Sequence, residues 1–137
     1  MTLSRQVIEP GNPKVDQSRK FNLPLSPAVR GGDFIFLSGM AAIDPATGER
    51  AHGTVAAETR QILTNMGELL KAAGSSLANV VKVNVLIYSI AGVREHELGL
   101  SRVLPDRSSR PDGMRCQAHR RPQSRDRMYR LGLSNST

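Results

Sequence analysis

The chain has 137 residues, a formal net charge of +7 at pH 7 and a single cysteine, Cys116. This length suits one compact domain and is too short for two. One cysteine excludes an internal disulfide and any multi-cysteine metal site. The start lacks the apolar run of a signal peptide and no window approaches a membrane span, so we expect a cytoplasmic protein with no membrane partner.

The composition changes between Glu95 and His96. Residues 1–95 contain ten basic and eight acidic residues, a net charge of +2, whereas the remaining 42 residues contain nine Arg, no Lys and four acidic residues. That segment also lacks Phe and Ile, so it offers little to a core. We therefore predict a folded domain over residues 21–95, preceded by an arm at 1–20 and followed by an Arg-rich, disordered tail at 96–137.

The first elements are marked by proline and glycine. Residues 1–20 are polar and interrupted by prolines, which predicts an extended arm. A first strand is predicted from Leu23 to Val29. Because Pro24 and Pro27 cannot donate ladder hydrogen bonds, we expect this strand at an edge or a bulge.

A buried strand, a turn and a helix follow. The apolar run Phe34–Gly39 predicts a buried strand, and Asp44–Gly48 has the Pro and Gly of a tight turn. A helix is predicted over about residues 55–73, ended by Gly74. Its apolar face follows the helical repeat at Ile62, Met66, Leu69, Leu70 and Ala73.

The last clear element is a strand over residues 80–88. Alternation predicts that Val81, Val83, Val85 and Ile87 face the helix. Two strands, a helix and a strand indicate an α+β fold with helices on one face of a sheet. The tail shows neither a helical nor a strand period, and we expect mostly irregular structure there.

Several motifs occur in an order that resembles the RidA/YjgF family of reactive-intermediate deaminases, also labelled endoribonuclease L-PSP. The resemblance covers residues 21–95. It consists of FIFLSG at Phe34–Gly39, the turn Asp44–Gly48, Gln61 and Asn65 on the helix, Ala73-Gly74, and Val80-Val81-Lys82.

The resemblance implies a chorismate-mutase-like RidA fold, here with its C-terminal half missing or disrupted. It also implies a homotrimer with clefts between subunits, where reactive 2-imino acids such as 2-aminoacrylate are hydrolysed to 2-keto acids and ammonia. Neither a metal nor an organic cofactor is required for this reaction.

The resemblance places Ser38 and Gly39 in the substrate-binding cleft, while Leu25 stands where many members have a Tyr. The family's substrate-binding Arg and water-positioning Glu have no counterpart in this frame. The catalytic residues are therefore unassigned, and we expect this chain to be impaired as an enzyme.

A shift of one base after the Glu95 codon accounts for the missing motifs. In the shifted frame they are permitted in the family's order, followed by a stop at the expected length. We therefore hypothesise that residues 96–137 are an out-of-frame translation, through mutation, sequencing error or a pseudogene. The permitted motifs are Met-Asn from His96-Glu97, Phe-Phe-Pro from Val103-Leu104-Pro105, Glu-Ile-Glu from Arg125-Asp126-Arg127, and a stop from Leu133-Ser134.

Two other functions stay open. The nine arginines could neutralise RNA phosphates in an RNA-binding, endoribonuclease or translation-inhibitor role, although Tyr129 is the tail's one aromatic residue for stacking. A trimeric cleft could also bind a small ligand without turnover.

Structural roles compete with functional ones at single residues. Ser38-Gly39 could simply end a strand against a close backbone neighbour. Gln61 and Asn65 fit helix-surface or capping groups, and Glu58 fits a solvated helix face. The three histidines, His52, His96 and His119, do not have metal-ligand spacing.

Overall fold

The computed structural model describes residues 4–87 and two further strands at 115–118 and 130–136. These residues form an α+β fold in which one long helix packs on one face of a six-stranded sheet. The elements are β1 (Arg5–Ile8), α1 (Gln17–Lys20), β2 (Ala28–Gly31), β3 (Phe34–Met40), α2 (Val55–Ala72), β4 (Val80–Ile87), β5 (Arg115–Ala118) and β6 (Arg130–Ser136).

Helix α2 confirms the predicted helix and its apolar face. Its first turn is capped by Thr54, whose Oγ1 accepts a hydrogen bond from the Ala57 N–H (3.1 Å). Gly74, with φ +76°, follows its end. The residues buried against the sheet are Ile62, Met66, Leu69 and Leu70.

The prediction of a solvated Glu58 is wrong. This side chain is only 7% exposed, and its Oε1 accepts a hydrogen bond from the Gly53 N–H (3.3 Å). Glu58 lies one turn after Val55 and one turn before Ile62, so the helical repeat carries it to the buried face. An acidic residue in the first turn also interacts favourably with the helix dipole.

The strand order is β1-β2-β3-β6-β4-β5, and every neighbouring pair is antiparallel except β4 with β5. Both β3 and β4 contribute side chains to the core under α2, yet they are separated in the sheet by β6. Pairing places Phe36 opposite Ser134, and Ser134 opposite Lys82. The backbone groups of β3 and β4 therefore find their partners on the same intervening strand.

This arrangement corrects the expectation of a mostly irregular tail at the two places where the structure describes it. Residues 115–118 and 130–136 are strands of the sheet. The prediction weighed apolar side chains, whereas a strand is also held by its backbone hydrogen bonds, which any residue but proline can supply. Residues 96–114 and 119–129 lie outside the described part of the chain, so the prediction stays untested there.

The arm is also part of the sheet. β1 pairs with β2 so that Ile8 lies opposite Ala28, and both are buried in the core. The predicted first strand begins at Ala28 rather than Leu23. It lies between β1 and β3 and not at an edge, because Pro24 and Pro27 precede it and leave its ladder intact.

The strand predicted over 80–88 is present as β4, but its first residues point differently from the prediction. Val81 is 49% exposed while Val80 is buried. A register shift between Val80 and Lys82 interrupts the alternation there. From Val83 onward the predicted alternation is confirmed as far as Ile87, and Tyr88 lies outside the described residues.

Amide hydrogen exchange tests the position of β6. Because β6 pairs on both sides, we expect its amides near Leu133 to exchange more than about tenfold slower than an unstructured peptide of the same sequence. Unprotected amides throughout 130–136 would contradict the strand.

Candidate functional site

A cavity of about 700 Å³ opens beside the end of β3. Three segments line it: residues 15–27, residues 38–41 and the hairpin that joins Ile43 to Arg50. Ser38 and Gly39, the two residues predicted at the cleft, both belong to this lining.

Ser38 is held in place by two hydrogen bonds to the segment before β2. Its Oγ donates to the Ser26 carbonyl (2.6 Å), and its backbone N–H donates to the Pro27 carbonyl (3.0 Å). Because the hydroxyl proton is already donated, the Ser38 oxygen is oriented to accept a hydrogen bond from a ligand. The adjacent Gly39 is exposed and has no side chain to block an approaching ligand.

The predicted turn at Asp44–Gly48 is present and is tightly hydrogen bonded. The Gly48 N–H donates to the Asp44 carbonyl (2.7 Å), and the Asp44 carboxylate accepts from the Ala46 N–H (2.8 Å). Gly48 has φ +75°, and a Cβ there would come within 3.1 Å of the Lys14 carbonyl oxygen. Glycine at this position thus permits both the turn and the close approach of the N-terminal segment.

Side chains of the N-terminal segment bind this turn and so build one wall of the cavity. Most of their acceptors are backbone carbonyls; the additional ion pair with Glu49 is exposed and adds little. The bonds run from Asn12 Nδ2 to Pro45 O (2.8 Å), from Lys14 Nζ to Ala46 O (2.7 Å), and from Lys20 Nζ to Gly48 O and Glu49 Oε1 (2.8 Å each).

Asp16 is a buried carboxylate on this wall. It caps α1: its Oδ1 accepts from the backbone N–H groups of Ser18 (2.9 Å) and Arg19 (3.2 Å) and from the Ser18 hydroxyl. Its Oδ2 lies 3.6 Å from Arg19 Nε, and the side chain is only 2% exposed. The hydrogen bonds satisfy Oδ1, whereas Oδ2 is buried without a hydrogen-bond partner.

The chain reverses after α1 through a left-handed residue. Asn22 has φ +47°, its N–H bonds to the Arg19 carbonyl (3.2 Å), and the Leu23 N–H bonds to the Ser18 carbonyl (2.8 Å). This is the Schellman pattern, which asparagine tolerates better than most residues. The reversal places three large apolar side chains at the cavity, here called the apolar lip: Phe21, Leu23 and Leu25.

Asn65 connects helix α2 to the cavity. Its Nδ2 donates to the Ile43 carbonyl (2.7 Å), and its Oδ1 accepts from Gln61 Nε2 (3.0 Å). The prediction of a helix-surface or capping role is wrong for Asn65, which is only 3% exposed. The residue satisfies a loop carbonyl and thereby holds the hairpin at Ile43, a lining residue, against the helix.

The sequence analysis missed the wall formed by Asp16, Lys20 and Arg50. Asp16 ahead of a short helical stretch is a capping signal, but nothing local indicates that α1 docks on a turn about 30 residues away. Within the described residues, no group of three His, Cys, Asp or Glu side chains could hold a metal ion. No helix in that part is long and apolar enough to cross a membrane.

Comparisons with known proteins define the class. Residues 18–124 match the family model for endoribonuclease L-PSP. The solved structure of a Thermotoga maritima protein, proposed to be an endoribonuclease, is 29% identical with a TM-score of 0.79, covering 96% of this chain and 97% of that one. Escherichia coli TdcF, solved with bound serine, shows the same fold at 20% identity and a TM-score of 0.79, covering 96% and 98%.

Two curated relatives match by sequence over a shorter length. The human 2-iminobutanoate/2-iminopropanoate deaminase is 48% identical over 67 residues, which is 49% of each chain. A RutC family protein of Pyrococcus horikoshii is 45% identical over 64 residues, 47% of this chain and 51% of that one. The chain spans about half the length of the curated relatives it matches. It belongs to the endoribonuclease L-PSP family, the RidA/YjgF group.

Replacing Asn65 tests its connecting role. In Asn65→Ala the buried Ile43 carbonyl loses its donor, so we expect the free energy of unfolding to fall by about 1–3 kcal/mol. Gln61→Ala removes the other bond of the pair from a less buried position and serves as the matched control, with a loss below about 1 kcal/mol. Urea unfolding measures both losses of unfolding free energy. Equal losses would show that the hydrogen bond to Ile43 contributes no more to stability than the one between Gln61 and Asn65.

Asn22 tests the reversal that positions the apolar lip. Asn22→Val puts a β-branched side chain at positive φ and should cost about 1–2 kcal/mol of unfolding free energy. Asn22→Gly should be neutral or stabilising because glycine adopts this conformation without strain. A valine variant as stable as the glycine variant in thermal unfolding would contradict the left-handed conformation.

Proposed function

We propose that this chain is a RidA-type deaminase sequence whose site converts 2-imino acids to 2-oxo acids and ammonia. The observation that carries the proposal is the sequence match to 2-iminobutanoate/2-iminopropanoate deaminases at close to half identity over half of each chain. In the reaction, water adds to the iminium carbon, the C–N bond of the resulting carbinolamine breaks, and the nitrogen leaves as ammonium. Our proposal locates the protein in the cytoplasm and assigns it no cofactor.

The cavity supplies part of this chemistry. The Ser38 oxygen, whose proton is donated to Ser26, suits an N–H of the iminium group, and Gly39 leaves room for the reacting carbon. Two acidic residues line the cavity. Asp16 caps α1 through Oδ1 and has its Oδ2 buried beside Arg19, while Glu49 is an exposed partner of Lys20, so neither is well placed to activate water.

The missing groups are proposed to come from the shifted frame. In this interpretation residues 96–137 replace a C-terminal half that contains the carboxylate-binding Arg and the water-positioning Glu. Sequence matches that cover only about half of the curated relatives support it, as does the change in composition after Glu95, whereas the family match that runs to residue 124 counts against it. The backbone pairing of β5 and β6 does not depend on which frame supplied the residues.

A homotrimer is proposed from the open face of the sheet. Val7 pairs with Val29, and Val29 pairs with Phe36, so the three share the face opposite to α2. Phe34 lies two residues from Phe36, with the two ring centroids 6.4 Å apart. Val7, Phe34 and Phe36 are 45–51% exposed, an apolar surface of the kind that subunits cover on association.

Frame restoration is the decisive experiment. Deleting one base after the Glu95 codon should yield a trimer by light scattering that speeds pyruvate release from freshly generated 2-aminoacrylate. A general acid–base group alone typically contributes about 100-fold or more, so the unaltered chain should be at least about 100-fold slower.

The matched control deletes the whole His96 codon, which shortens the tail by one residue and keeps its frame. This control should behave as the unaltered chain does. Equal activity of the unaltered and restored chains would place the necessary groups within residues 1–95 and would refute the frame proposal. Saturable ligand binding without turnover by the restored protein would favour the non-catalytic alternative.

The RNA-directed alternative is favoured by the family's description as an endoribonuclease and by the nine arginines of the tail. Replacing Arg120, Arg121, Arg125 and Arg127 by Gln removes charge and leaves both described tail strands intact. A salt-dependent affinity for single-stranded RNA that these changes abolish would support this role. No measurable affinity, or an affinity that the changes leave untouched, would count against it.

A further inference from the structure

The exposed large apolar residues of the described chain fall into two groups. Four of them, Val7, Phe34, Phe36 and Val81, lie on strands and do not line the cavity. The other three are the apolar lip, Phe21, Leu23 and Leu25, with exposures of 60%, 42% and 55%, and all three line the cavity. The first group lies on strands away from the cavity, whereas the apolar lip borders the cavity.

The size of the cavity exceeds what a three-carbon substrate needs. About 700 Å³ lies within the range of pockets that enclose ligands of drug size, roughly 300–1,000 Å³. A ligand as small as 2-iminopropanoate, held at Ser38, would leave the apolar lip exposed to solvent. Apolar side chains form one side of the remaining space, opposite the polar wall of Asp16, Lys20 and Arg50: they are Val15, Phe21, Leu23, Leu25, Met40 and Ile43.

The lip is supported by defined structure. The hydrogen-bonded reversal at Asn22 connects Phe21 to Leu23, and α1 is held by Lys20 against the Gly48 carbonyl. Leu25 directly precedes Ser26, whose carbonyl accepts the Ser38 hydroxyl. The lip and the proposed iminium-binding residue are therefore joined through one short segment.

We propose that the apolar lip is a specificity determinant that selects 2-imino acids with an aliphatic or aromatic side chain of about four or more carbons. This inference rests on the proposed function for the identity of the polar end of the substrate. The polar end lies at Ser38 and Gly39, and the side chain of the substrate covers Phe21, Leu23 and Leu25. Burial of apolar carbon on the lip supplies the discrimination.

Stable 2-oxo acids test the preference on the full-length, frame-restored chain, which by the proposed function contains the carboxylate-binding Arg, without any need for turnover. The probes are pyruvate, 4-methyl-2-oxopentanoate, and 2-oxosuccinamate, in which an amide replaces the isopropyl group at nearly the same shape. Three additional carbons, if partly buried, should strengthen binding of 4-methyl-2-oxopentanoate over pyruvate by about tenfold or more. The amide should gain no such advantage, because the lip offers it no hydrogen bonds. Ligand-observed and protein-observed NMR titrations measure the dissociation constants.

Variants of the lip residues test whether the binding preference depends on the apolar lip. Leu25→Ser and Phe21→Ser should reduce the ratio of the two affinities to near one. Val81→Ser makes a similar change at an exposed apolar residue that does not line the cavity, and it should keep the ratio. Circular dichroism and thermal unfolding verify that each variant is folded, as expected for exposed positions.

Other results overturn the proposal. They are equal affinities for all three ligands, no binding of 4-methyl-2-oxopentanoate at millimolar concentration, or lip variants that keep the ratio. A lower mass in light scattering for Phe21→Ser would show that another copy covers the lip, which also overturns it.

The frame-restored chain separates this inference from the proposed function. If the restored chain shows no hydrolysis while the binding ratio holds, the deaminase proposal fails and the specificity role of the lip stands. If it hydrolyses 2-aminoacrylate while the binding ratio is near one, the deaminase proposal stands and the specificity role of the lip is refuted.

Discussion

Backbone hydrogen bonding between β3 and β4 is the constraint on which the sheet depends. Both strands place side chains such as Ile35 and Val83 under α2, yet they do not pair with each other. Their facing edges would be left without partners in the interior of the sheet, at a considerable cost in free energy. β6 removes this cost by pairing with both, and it does so with a sequence that offers little apolar surface.

The candidate site depends on a second long-range contact. The segment before β2 would be an unsupported loop without its hydrogen bonds to the turn at Asp44–Gly48. The hairpin that contains this turn is itself held to α2 by the hydrogen bond from Asn65 to the Ile43 carbonyl. The cavity wall, the hairpin and the helix therefore form one connected unit, although their residues lie far apart in sequence.

The distribution of exposed apolar residues separates two kinds of surface. Phe34 and Phe36 lie on a sheet face, where the pairing of β1, β2 and β3 places Phe36 beside Val29 and Val29 beside Val7. Phe21 and Leu25 belong to a loop that curves around a cavity. The same class of side chain thus fits association in one place and ligand selection in the other, and geometry decides between them.

Local sequence determined the elements whose signals lie within a few residues. The apolar repeat around Met66 specifies α2, the run from Phe34 specifies β3, and proline and glycine specify the turn at Gly48. The resemblance predicted Ser38 and Gly39 at the cleft, and both line the cavity. Tertiary structure decided what depends on distant partners: the burial of Asn65, the exposure of Val81 at a bulge, and the docking of α1. It also decided that residues 130–136 form a central strand. Backbone groups can pair with any strand whose edge is open, and no side-chain pattern predicts which strand that is.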